Sequence, residues 1–205
     1  MNSQNKRERL IESAAQLFHH NGLNSTSLAD IAKHADIPIG NVYYYFKAKD
    51  DLAIAAIDRR KEHFSLVYNA LEEAFADPRQ RLIEYLGYYD KMRDEYYTYG
   101  CPIGRIINES RIEKDSVAQA ASDVFDAFLM WAMEQFRALG HSPEDAKKHA
   151  ICMMAGIQGG VVMARAFSNP QILSDELQRI SQWLESLPNR KISLGKAGLR
   201  ASAEA

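Results

Sequence analysis

Side chains able to do chemistry concentrate in two stretches of this sequence, and neither has the composition of an active site. The first is Gly40-Asn41-Val42-Tyr43-Tyr44, with Thr26 and Ser27 upstream and Lys49 downstream. An Asn amide can bond an adenine edge bidentately, Tyr reaches phosphates or thymine methyls, and a glycine lets the backbone come close to a surface. The second is a tyrosine run: six of the ten tyrosines fall between Tyr85 and Tyr99. Tyr85, Tyr88, Tyr89 and Met92 recur at i, i+3, i+4 and i+7 and share one helical face. With Phe125, Phe128 and Trp131 from a later segment they make either an ordinary aromatic core or the wall of a pocket for a planar or apolar small molecule.

The two cysteines are weighed separately. Cys101 sits in Tyr-Gly-Cys-Pro-Ile-Gly-Arg, just before a short apolar segment with Arg105 close by. A helix N-terminus and a cation both favour a thiolate, so Cys101 is either a reactive thiol or a buried structural one. Cys152 lies in an apolar run and reads as inert. His149 and Cys152 stand at i, i+3 but lack further partners at ligand spacing, so no metal and no cofactor are expected. No Gly-x-Ser-x-Gly elbow or phosphate-cradling glycine loop occurs, which leaves an enzyme without a constellation to run on.

Positioning these residues falls to helices. Apolar residues recur at helical period, no strict alternation is sustained, and no Asn-Gly or Asp-Gly hairpin signal appears. An all-α protein is expected. The first helix covers about residues 6–20 on the stripe Leu10, Ile11, Ala14, Leu17 and Phe18, and Gly22 ends it. Ser27, with Asp30 three residues on, caps a short helix over 28–34. Pro38 opens a second short one carrying Gly40 to Phe46. Longer helices follow at about 50–75, 78–99, 116–139, 143–167 and 170–187, with a short one after Pro102. Two short helices joined by a tight turn behind a supporting helix form a helix-turn-helix, whose second helix enters the major groove.

Composition narrows the classes further. The 205 residues are 46% hydrophobic and 25% charged with a net charge of −2, as in ordinary globular proteins and unlike disordered or disulfide-dense chains. Residues 1–15 hold no apolar run after a basic start, so a secretory signal is not expected. The longest uncharged apolar stretch, residues 150–164, is short for a span of about 20 residues, so no membrane partner is expected. Two cysteines suit a reducing cytoplasm. Residues 1–50 carry six Lys and Arg against five acids, so the electrostatic footprint of the helix-turn-helix is modest.

The run from Thr26 to Leu52 resembles the N-terminal domain of TetR-family transcriptional repressors. The resemblance rests on the spacing of Leu28, Ile31 and Ala32, on Gly40, on the block Tyr43-Tyr44-Tyr45-Phe46, and on Lys49-Asp50-Asp51-Leu52. It implies nine or ten helices: a DNA-binding domain over residues 1–49 and a ligand-binding and dimerisation domain over 50–188. The small, polar end of the sequence reads as a flexible tail over 189–205. It implies a homodimer on a palindromic double-stranded DNA operator, released by a small-molecule effector or by modification of Cys101. By position, Ser27 would cap its helix and hold a phosphate with help from Thr26. Gly40, Asn41, Tyr43 and Tyr44 would meet DNA, and Lys49 would contact a phosphate. Met153, Met154, Gly156, Ile157, Gly160 and Val161 would serve the dimer, or the core. The Gly-Cys segment is similar to that of members that sense electrophiles or oxidants. Ile39 stands where many relatives have Lys, which removes a cation from the DNA face. That departure, with the low local charge, keeps open an alternative: a small-molecule-binding or protein-interaction module whose helix-turn-helix does not read DNA.

Overall fold

The computed structural model describes residues 3–110 and 116–188, so the segment 189–205, expected to be a flexible tail, lies outside the described residues. Ten helices occur among the described residues, and no strand. The first three are α1 (Ser3–Asn21), α2 (Leu28–His34) and α3 (Ile39–Tyr45). Gly22, at φ +98°, closes α1, and its N–H bonds back to Phe18 O at 3.1 Å. Ser27 caps α2 in a reciprocal box: its Oγ accepts from Asp30 N, and the Asp30 carboxylate accepts from Ser27 N. Leu10, Phe18, Ile31, Val42 and Phe46 fill the centre of this three-helix head.

The long α4 (Lys49–Ala74) spans about 39 Å and joins the head to the rest. Its first turn buries Leu52 and Ala53 in the head, while Phe64 and Tyr68 reach the second core. The body comprises α5 (Pro78–Lys91), α6 (Arg93–Tyr99), α7 (Pro102–Glu109), α8 (Ser116–Ala138), α9 (Pro143–Ala166) and α10 (Gln171–Ser186). The one helix expected over 78–99 is two. It breaks at Met92, where the N–H turns back to Tyr88 O and Tyr89 O and a new helix starts.

In the body, α9 lies between α8 and α10. A Cβ on Gly156 would come within 2.8 Å of Glu176 Oε1 and 2.9 Å of Ile180 Cδ1, so the glycine lets α9 and α10 approach within the protomer. Gly160 abuts Leu173 and Glu176 in the same way. Met153, Met154, Ile157 and Val161 are buried within this one chain. Of the six residues read as dimer or core, five are therefore buried in the protomer, and Gly156 is half-buried against α10. The opposite face of α9 leaves Cys152, Ala155, Gly159, Val162 and Met163 exposed, followed by Phe167. A helix apolar on both faces does not reveal by periodicity alone which face turns inward.

Candidate functional site

The outer surface of the head is built by α3. Val42 points into the core, and this rotation turns Ile39, Gly40, Tyr43 and Tyr44 outward. Tyr43 is 52% exposed and Tyr44 75%, large aromatic surfaces left in water by an otherwise well-packed head. Tyr44 meets Tyr45 edge to face at 5.0 Å, which fixes its ring. A Cβ on Gly40 would meet nothing within 4 Å, so the surface there is open to another molecule. Asn41 is half-buried beside it. Lys47, which the sequence did not single out, donates from Nζ to Tyr43 O at 3.1 Å and sets an exposed cation at the end of α3.

Two residues expected on this face have partners within the fold, Thr26 wholly and Lys49 in part. Thr26 is buried, and its hydroxyl donates to Gly22 O at 2.7 Å, so it holds the turn after α1 and does not reach a phosphate. Lys49 Nζ donates to Leu23 O at 2.9 Å and pins the start of α4 to that turn, with two N–H groups left over. Ser27 stays exposed at the head of α2, its Oγ also donating to Asp30 Oδ2 at 2.6 Å. The hydroxyl and then the N–H of Ser27 hold the Asp30 carboxyl below its usual range.

The tyrosines divide. Tyr85, Tyr89, Phe125, Phe128 and Cys101 line a cavity in the body, together with Phe64, Tyr68, Tyr96, Ile103 and Met154. Its free volume is ≈ 10 Å³, room for about one water, so in this state the rings fill the space. Tyr89 stacks on Tyr96 at 4.9 Å and Tyr85 on Phe128 at 5.0 Å. Tyr85 OH donates to Tyr89 OH at 3.5 Å. Burial pushes the phenols of Tyr85, Tyr89 and Tyr96 up, and that of Tyr68 to about 12. Three residues expected at the wall lie elsewhere. Trp131 stacks behind it on Tyr68 at 4.8 Å and donates Nε1–H to Glu72 at 3.0 Å. Tyr88 turns outward to His63 at 3.0 Å, and Met92 is exposed at the α5–α6 break. Phe64, Tyr68 and Tyr96 were missed because a pocket wall drawn from six helices has no single period.

Cys101 is the N-cap of α7, its Sγ accepting from Gly104 N at 3.4 Å. Burial pushes the thiol up, outweighing the hydrogen bonds from Gly104 and Gln158, so it is a neutral thiol at physiological pH. One turn on, Arg105 reaches the end of α1. Its Nη1 donates to His19 O and His20 O at 3.1 and 3.2 Å, and its Nη2 to Asn21 O at 2.8 Å. These carbonyls have no partner within α1, and a cation at a helix C-terminus also meets the dipole favourably. Another turn on, Glu109 accepts from Arg105 Nε at 2.9 Å and from Asn24 N at 2.9 Å. A single short helix thus has its N-cap in the tyrosine cavity and its last two turns clamped to the head.

An exposed helix of aromatic and amide side chains, presented by a capped partner helix and joined through a strut to a separate cavity, defines a helix-turn-helix regulator. Residues 10–56 match the family described as bacterial regulatory proteins, tetR family, and residues 80–178 match the LmrA/YxaF-like transcriptional regulator C-terminal domain. An HTH-type transcriptional regulator of Mycobacterium tuberculosis is 30% identical over 173 residues, 79% of this chain and 85% of the relative. LmrA of Bacillus subtilis, an HTH-type transcriptional regulator, is 26% identical over 186 residues, 90% of this chain and 97% of LmrA. A TetR transcriptional regulator from Legionella pneumophila superposes with a TM-score of 0.79 at 20% identity, over 89% of this chain and 97% of that one. The chain belongs to the TetR family of transcriptional regulators, with an LmrA/YxaF-like C-terminal domain. These likenesses favour a DNA-binding regulator over a module that does not read DNA, and no described helix is long and apolar enough to cross a membrane.

Proposed function

We propose that this protein is a homodimeric repressor of the cytoplasm, not an enzyme, that leaves its palindromic operator when a small, largely apolar molecule opens the tyrosine cavity. Ser27, Gly40, Asn41, Tyr43 and Tyr44 meet the DNA, with Lys47 and Lys49 at the phosphates. The exposed face of α9, centred on Gly159 and Val162 and extended by Phe167, pairs with its counterpart in a second copy. Small residues at its centre let the helices come close, and a two-fold arrangement sets recognition helices about 34–36 Å apart, or a multiple of that.

The observation that carries this reading is α7. Cys101 and Ile103 line the cavity, and Arg105 and Glu109 grip the end of α1 and the turn after it. A ligand that parts the rings must displace the start of α7, and the clamp passes that displacement to the head. The neutral, half-buried Cys101 thiol supports reversible occupancy over covalent modification. The test is fluorescence anisotropy on the upstream intergenic DNA, titrated across salt, with and without a thiol-reactive electrophile. Tight, salt-dependent binding that the electrophile leaves intact supports the proposal. Release by the electrophile in the wild type but not in Cys101→Ser refutes reversible occupancy as the trigger.

A further inference from the structure

Outside both sites lies a cleft of ≈ 290 Å³ between the head and the body, lined by α1, α4 and α6. Among the described residues, His19, His20 and Glu95 are the one group of three whose ligand atoms come within 4.8 Å of one another. His19 Nδ1 is 3.5 Å from Glu95 Oε1, and His20 Nε2 is 3.0 Å from the same oxygen. A tetrahedral zinc ion with bonds of about 2.0–2.1 Å separates its ligand atoms by about 3.3 Å, so these side chains need only small adjustments to close on one.

The surroundings prepare both imidazoles. His19 is buried, and its Nε2 lies 2.8 Å from Gly100 O. A carbonyl only accepts, so Nε2 carries the proton. The second ring nitrogen, Nδ1, then faces Glu95 Oε1 at 3.5 Å. An imidazole whose second nitrogen donates to a backbone carbonyl is the usual state of a metal-bound histidine. The His20 ring is held by stacking on Tyr99, 3.9 Å away at 18°. Glu12 and His63 border the same cleft but lie outside that group. Arg59 and Arg60 border it too, and Arg59 is paired with Glu8.

We infer that His19, His20 and Glu95 form a binding site for a divalent late transition-metal ion, Zn²⁺ in the first instance, at the joint between the DNA-binding head and the body. Two nitrogens and a carboxylate suit Zn²⁺ better than Mg²⁺ or Ca²⁺, which favour all-oxygen sets. An ion there ties α1 to α6 beside the Gly100-Cys101 turn, a second input at the joint, independent of the tyrosine cavity.

The full chain is titrated with Zn²⁺ by calorimetry, and with Co²⁺ by absorption. Expected are one Zn²⁺ per protomer and Co²⁺ bands without thiolate charge transfer. His20→Ala and Glu95→Gln, both at half-exposed or exposed positions where folding is retained, each weaken binding at least about tenfold. Cys152→Ala, which removes the exposed thiol, leaves it unchanged. Operator affinity measured with and without Zn²⁺ differs in the wild type more than in His20→Ala. The inference is overturned if the wild type takes up no ion, if binding survives both His20→Ala and Glu95→Gln, or if it is lost only with Cys152→Ala.

Discussion

Replacing Arg105 with Ala removes a guanidinium that makes three hydrogen bonds to the last carbonyls of α1 and one to Glu109. A bond involving a charged group contributes about 1.5–3 kcal/mol net. The three bonds to α1 share one cation, two of them come from a single nitrogen, and the side chain is 29% exposed. Water can also satisfy the freed carbonyls, and Glu109 keeps its bond from Asn24 N, so no charge is stranded. The set is therefore equivalent to about one such bond, a loss of about 2 kcal/mol. For a chain of this length that lowers the thermal midpoint by roughly 4–8 °C.

The assay is a circular-dichroism melt at fixed protomer concentration, since dimer dissociation makes the midpoint concentration-dependent. It is paired with operator anisotropy before and after effector. Arg105→Ala should keep operator binding, because α3 is untouched, but blunt release, because the strut between cavity and head is cut. Arg105→Lys should recover less than half of the stability, since an ammonium lacks the planar fork. An unchanged midpoint together with full release in Arg105→Ala refutes the strut.

Tyr43→Ala should weaken operator binding roughly tenfold or more, the size of one lost groove contact, while size-exclusion chromatography shows the dimer intact. Val162→Glu should give a folded monomer with weak operator affinity, because Val162 is 63% exposed in the protomer and the proposed dimer would bury it. Gly156→Leu should destabilise by about 1–3 kcal/mol or more in urea melts, since α10 already crowds the position. Alkaline pH should unfold the protein: Tyr68 ionises near 10 when unfolded but at about 12 when folded, so the stability it lends is complete below pH 10 and lost as pH rises through 12. Two units correspond to about 2.7 kcal/mol, read as the drop in urea-unfolding free energy that Tyr68→Phe abolishes.

Much of the fold was legible because local signals agreed with one another. Ser27 with Asp30, Gly22, Pro38 and Pro143 mark helix ends at positions the structure confirms within a residue or two. The break at Met92 was not legible, because no Gly or Pro stands there and the apolar stripe runs on through it. At the DNA face the exposed and buried positions of α3 followed from the alternation of Val42 and Phe46 with Tyr43 and Tyr44. Thr26 did not: adjacent hydroxyls look alike in sequence, and only the turn geometry sends one inward to Gly22 O. The α9 residues stayed open between dimer and core for a related reason, since both faces of that helix are apolar. The pairing of His19 and His20 with Glu95 joins positions about 75 apart in sequence and carries no local spacing at all.

The closed cavity constrains how release can work. With ≈ 10 Å³ free, a molecule of several rings cannot enter without separating the Tyr85–Phe128 and Tyr89–Tyr96 stacks. Stacked pairs of this kind contribute about 0.5–1.5 kcal/mol each beyond area burial, so losing two costs at least about 1–3 kcal/mol and the open state is a minority without ligand. An effector acts only to the extent that it prefers the open state, and reversing a 99:1 equilibrium takes about 5.5 kcal/mol of preference. A ligand of matching shape gains that by replacing the ring contacts it breaks and by giving the buried Tyr hydroxyls a polar partner they now find only in one another. In the proposed mechanism Cys101, at the N-cap of α7, stands where the parting rings would first meet the strut.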